Sequence, residues 1–468
     1  DTAGDVTISA GSGAVLDFGN STIDGDLVAT SSNTTGIIDS GAMTVRGTAS
    51  FRTTAANADI SLGTSTLGDG TGTDTITLNT TGSGGDATLD NGTTAVALGT
   101  SAASLVTSVG GDLTLTSGAA AGITDSATVT VGGNLIATTD DNNGVIDLGT
   151  LAVDGTITLT THNNGAATID NGTANIDIAA ASVGGNLTLT SGAAAGITDS
   201  GTVTVGGNLT ATTDDNNGVI NLGTLAVDGT MALTTHTGGA VTVVNDARIN
   251  FAASTVRGAL SATAAAGDII DTGVLAITGT STFTVAGGQN ITLGSDNTFS
   301  DAVTFVTSGG GPIASVEIND SNLFELQALT LTGNLTVTAG GNITDSGTLT
   351  VGGDLAATTD ASSSTINLDT LAVTGSIALA THNNGDATVV NATGIEFAAS
   401  DVNRNLSATA TTGTITQSGA LDIEGTTTLV TAAQGQAIVL GTATNAFTGA
   451  VTITTNDNSS PGLVDGTY

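Results

Sequence analysis

Hydrophobic and polar residues alternate with period two along most of the chain. Runs such as "TITLTT" at Thr156–Thr161, "NLTLTS" at Asn186–Ser191 and "TVTV" at Thr202–Val205 place β-branched and aliphatic residues at every second position. That period predicts strands with one face buried. Clusters of glycine, asparagine and aspartate end each run and predict turns. No window carries the 3.6-residue period and caps that a helix needs.

The runs recur. Residues 110–126, "GGDLTLTSGAAAGITDS", return at 184–200 as "GGNLTLTSGAAAGITDS". The aligned residues Ile123, Ile197, Ile270, Ile343 and Ile415 are spaced 74, 73, 73 and 72 apart, with an earlier copy at Ile38. The hydrophobic residue of a V-x-G pattern divides each long unit again. Val109, Val131, Val153 and Val183 are spaced 22, 22 and 30, and Val183, Val205, Val227 and Val256 are spaced 22, 22 and 29. The long unit of about 73 residues thus reads as three short units, the third with an insertion of about seven. A short unit with two or three strands and Gly/Asn turns is one coil of a β-solenoid. Roughly 18 such coils, stacked about 4.8 Å apart, predict a rod on the order of 85 Å. A propeller needs blades of about 40 residues, which the 22-residue sub-period does not supply. The expectation is one continuous parallel solenoid over residues 1–468, with 281–327 the stretch that departs most from the repeat.

Composition sharpens this reading. There are 67 glycines, no cysteine, no tryptophan and two prolines, so a thick core of large side chains is excluded, yet 39% of residues are hydrophobic. Five arginines face 42 acids, giving a net charge of −37. Such a field repels nucleic acid and anionic lipid and attracts cations. No run approaches the ~18–20 apolar residues of a membrane helix. The chain lacks an initiating methionine, and the expectation is a processed product or a piece of something longer.

An acid or amide stands six residues before most markers: Asp17, Asp39, Asp125, Asp147, Asp177, Asp199, Asn221, Asn250, Asp271, Glu325, Asp345, Asn367, Glu396 and Gln417. Stacked in register, Asp125, Asp147, Asp177 and Asp199 would form consecutive carboxylates about 5 Å apart. Two readings follow. Aspartate at a turn bonds backbone two residues on, and the amides suit that role. Alternatively, hard cations such as calcium lie between the carboxylates. The turns "TTDDNNG" offer a second candidate set, Asp140 and Asp141, then Asp214 and Asp215, read as calcium ligands or as a solvated loop. The three histidines, His162, His236 and His382, occupy equivalent turns. Coil counting puts them about 14 and 29 Å apart, too far to share a zinc, and a copied loop residue is the simpler account. No nucleophile elbow, P-loop or dinucleotide fingerprint is present. Arginine and aromatics are too few to build a groove for acidic polysaccharide, so no catalytic residue is expected. Phe283, Phe299, Phe305 and Phe324 form the one local concentration of rings.

The units "VGGNLTLTSG…ITDSGTLTVGGNL" resemble the repeat regions of filamentous-haemagglutinin-like adhesins and of β-strand-repeat surface proteins of bacteria. The resemblance covers nearly the whole chain. It implies a right-handed parallel β-helix on the cell exterior and a part in adhesion, aggregation or matrix building. The Asn-Pro-rich secretion domain of that family is not matched here. The functional expectation is an extracellular, non-catalytic shaft whose partners are host or matrix glycans or proteins, with no nucleic acid and no membrane insertion. The alternative is a subunit that associates end to end into a filament or surface layer. A polysaccharide-binding or -cleaving β-helix is the third class.

Overall fold

The computed structural model describes residues 4–69, 73–100 and 105–456, and excludes the side chains of Asn142, Asp215 and Asn216. Among these residues there is no α-helix, and every strand pairing is parallel. The protein is an all-β parallel β-solenoid of about 20 turns. It divides into two compact units, Asp1–Asp246 and Ala247–Tyr468.

A coil has three sides. In the first unit one coil contributes Leu113–Ser117, Ile123–Asp125 and Val129–Val131. Leu113 stands on Ala87 and beneath Leu135, which stands beneath Ile157. Alternation does the rest. Leu113, Leu115, Leu135, Ile157 and Leu159 point inward and are buried, while Thr114, Thr116 and Thr158 face outward. On several sides an inward hydroxyl closes the next corner. Thr139, Thr161 and Thr213 donate to the carbonyls of Gly144, Gly165 and Gly218 at 2.9, 2.6 and 2.9 Å. At these three corners the core passes from aliphatic to hydroxyl with the hydroxyl hydrogen-bonded.

The supposed seven-residue insertion is not a loop. From Leu113, the stack runs through Leu135 and Ile157 to Ile178. Leu187, the sequence counterpart of Leu113, lies elsewhere. It stands on Ala167, which stands on Ile146 and Ile123. The long repeat is three coils plus one further side, so each copy begins one side further round. The same rotation holds in the second unit. There Leu260 stacks with Ser281 and Val303, Leu335 with Val316 and Ile291, and Leu406 with Ala387 and Ile366. The extra side explains why about 20 coils are present where marker counting gave 18. Ile269, rather than Ile270, takes the inward position under Ile291.

Phenylalanine is core material in the second unit. Phe283 is buried, with its ring 6.4 Å from Phe251, 6.0 Å from Phe299 and 6.3 Å from Phe305. The first two contacts are edge to face, the arrangement ring quadrupoles favour.

Candidate functional site

The aspartates six residues before the markers do not form one column. Asp125 ends a three-residue strand where the chain bends. Its Oδ1 accepts from the Gly149 amide at 2.9 Å, and its Oδ2 from the Thr150 amide at 2.9 Å and hydroxyl at 2.8 Å. Asp39, Asp199 and Asp345 make the same bracket onto Gly63–Thr64, Gly223–Thr224 and Asp369–Thr370. The acceptor thus reaches the turn of the following coil, not its own. Asp147 is the exposed middle residue of Ile146–Leu148, in register with Thr124 and Thr168. Asp177 stands opposite Thr198, and its Oδ1 is buried with no partner among the described residues. Register therefore separates Asp125, Asp147, Asp177 and Asp199, because only every third coil bends at this residue.

The turns holding Asp140, Asp141 and Asp214 are extensions of strands rather than free loops. Leu135–Asn142 and Leu209–Asn216 run through them with a register irregularity, and Asn142 and Asn216 pair with His162 and His236. Asn143 and Asn217, both at φ 63°, close them in the left-handed region that asparagine tolerates. Asp140 and Asp214 are exposed and Asp141 is half-buried; the side chain of Asp215 lies outside the described residues. His162 Nδ1 lies 2.8 Å from the Thr139 carbonyl, His236 Nδ1 2.9 Å from the Thr237 hydroxyl, and His382 Nε2 2.9 Å from the Asn383 amide. Among the described residues no three of His, Asp or Glu converge on one point.

The repeats carry two further polar systems. The first is the Asn/Asp of the "VGGNL" corner, whose Oδ1 accepts the amide of its counterpart one coil on. The links Asp59 to Asp86, Asp86 to Asp112, Asp112 to Asn134 and Asn134 to Thr156 measure 3.0, 2.8, 2.7 and 2.9 Å. The second is a buried asparagine once per long repeat. Asn171 accepts from the Val153 amide at 2.8 Å and donates to the Val153 carbonyl at 3.0 Å, standing in for a peptide unit. Asn91, Asn245 and Asn391 do the same for Leu67, Val227 and Val373.

The fourth long repeat departs from this. Its buried residue is Asp320, whose Oδ1 accepts from the Phe299 amide at 3.1 Å and the Asn322 amide at 3.2 Å. A carboxylate has no donor for the carbonyl, and Asn322 Nδ2 supplies it, 3.1 Å from the Phe299 oxygen. Burial pushes the Asp320 carboxyl up to about 6, against the two amide hydrogen bonds and with a smaller contribution from Asp296. Beside it opens a pocket of about 590 Å³, walled by the corner before Val303 and by the segment around Phe324, with Asp301, Leu323 and Glu325 at its rim.

A family model described as "Repeats of unknown function (DUF5649)" matches residues 3–67, 238–306, 314–380 and 384–454, more than half of the chain. The chain belongs to this repeat family. No curated protein matches it. No solved structure matches it either. The DUF5649 match and the fold together make it a β-strand-repeat protein. Of the features above, the Asp345 bracket, the Asn391 strut and Asp320 all lie within DUF5649 segments.

Proposed function

We propose that this chain is a non-catalytic, extracellular shaft of a bacterial surface adhesin or matrix fibre. The observation that carries the reading is where the repeated polar side chains point. The brackets from Asp39, Asp125, Asp199 and Asp345, the Asn91, Asn171, Asn245 and Asn391 struts and the corner ladder all bond the adjoining coil. What the sequence repeats is the means of stacking one coil on the next. A side chain so engaged is not presented to a substrate, and a coil so tied transmits tension along the stack. The net charge of −37 keeps such a surface solvated and apart from anionic lipid.

Negative-stain electron microscopy of the full chain, with immunogold labelling of producing cells, tests the reading. Separate rods on the order of 95 Å, the length that about 20 coils 4.8 Å apart imply, and label outside the cell are expected. Label confined to the interior defeats the proposal, and long fibres replace it with assembly of a filament.

A further inference from the structure

The ladder has an opening inside the second unit. Val303–Ser308 pairs on one side with Ser281–Ala286 and ends its sheet, while Phe324–Leu326 and Leu329–Leu331 of the next coil pair with Ile343–Asp345 and Leu349–Val351 and begin another. In the first unit the corresponding strands, Ile157–His162 and Ile176–Val183, bond directly. The coil here is longer. Ile291 pairs with Val316, and Gly309 and Gly311, both at positive φ, precede Pro312. The backbones meet again at the ends of the opening, where Ser321 donates to the Asn297 carbonyl and Ile313 bridges Leu331, and between them side chains span the gap, as where the Thr304 hydroxyl meets Gln327 Oε1 at 3.1 Å. The pocket of about 590 Å³ lies at this opening, within the range of about 300–1,000 Å³ over which proteins hold ligands.

We propose that this opening is a docking site for an extended, basic and apolar peptide segment, held by strand addition to the two free edges. Unpaired strand edges offer amides and carbonyls in a row, and an extended backbone is the ligand that answers all of them. The rim decides the side chains. Asp301 and Glu325 are exposed carboxylates, Asp320 lies behind them, and no basic residue lines the pocket. Leu323, 65% exposed, is the most exposed large apolar side chain of the described residues and stands at the same rim. A segment alternating lysine or arginine with an aliphatic residue matches both. A second copy of this chain does not, since it carries five basic residues against 42 acids.

The test is calorimetric titration of the full chain with an acetylated, amidated peptide alternating lysine and valine. Its controls are the glutamate–valine counterpart and a lysine–valine peptide N-methylated along one edge. One-to-one binding of the basic peptide is expected, at least tenfold weaker for either control. It is also expected to be at least tenfold weaker on the chain carrying Asp301→Arg and Glu325→Arg, provided its circular dichroism matches the parent. Should that variant misfold, Leu323→Asp at an exposed position replaces it. Equal binding of the N-methylated peptide reduces the effect to charge attraction and overturns the proposal. So does unchanged affinity in the variant, or no binding at all.

Discussion

Asp320 occupies the place where four other repeats hold a buried asparagine. Its folded pKa of about 6 lies above the ordinary aspartate value of about 3.9. Between those values the native state binds the extra proton, so stability falls as pH rises from about 4 to about 6 and then levels. Asp320→Asn should remove this component. Urea unfolding of variant and parent is expected to agree near pH 4 and to differ at pH 8, with the variant more stable by about 3 kcal/mol. A difference that does not change with pH would sink the assignment. The brackets give a second test at this scale. Asp199→Ala should cost about 1–2 kcal/mol by freeing two amides and a hydroxyl, whereas Asp147→Ala, at an exposed outward position, should be neutral within about 0.5 kcal/mol. Equal effects in denaturant titration would refute the distinction between them.

At the scale of elements, strands and corners were legible because period two and Gly/Asn punctuation act locally. The inward set of Leu113, Leu135, Ile157, Leu187 and Leu209 follows from alternation alone. Register was not legible. Counting back six residues treats Asp125 and Asp147 as equivalent, but one ends a strand at a bend and the other is its outward middle. The three-residue strands Ile123–Asp125 and Ile146–Leu148 are too short for pattern to fix which residue bends. The strut was missed for a related reason. In "IDNGT" Asn171 looks like a turn residue, and only the Val153 backbone one coil below reveals that its amide replaces a peptide unit. Asn171→Ala would strand that amide and carbonyl in a buried place. A loss of about 2–3 kcal/mol is expected. A cost below about 0.5 kcal/mol would mean water substitutes. Gly196, at φ +68° against the Val219 carbonyl, is fixed just as tightly, since a Cβ there would collide with that oxygen.

For the whole molecule, charge sets the terms. With −37 charges and five arginines, self-repulsion opposes compactness and salt screens it. The thermal midpoint should rise as sodium chloride is raised from about 10 mM to about 500 mM, over which the Debye length shrinks from about 30 Å to a few ångströms. Calcium chloride at matched ionic strength separates screening from a specific site. A midpoint no higher than with sodium chloride would leave the carboxylates of Asp125, Asp140, Asp199 and Asp214 without a calcium role.

The repeat of three coils plus one side has an effect on what the surface offers. Had the repeat closed on a whole number of coils, copying it would have drawn each motif into a single meridian, with histidine over histidine and acid over acid. Within each unit the copies instead advance like the stripe on a barber's pole. A visitor travelling along one side meets a different part of the repeat at each step, and the same part only after the pattern has gone round all three. Duplication can therefore lengthen the stack without setting each copy of a motif directly over the last.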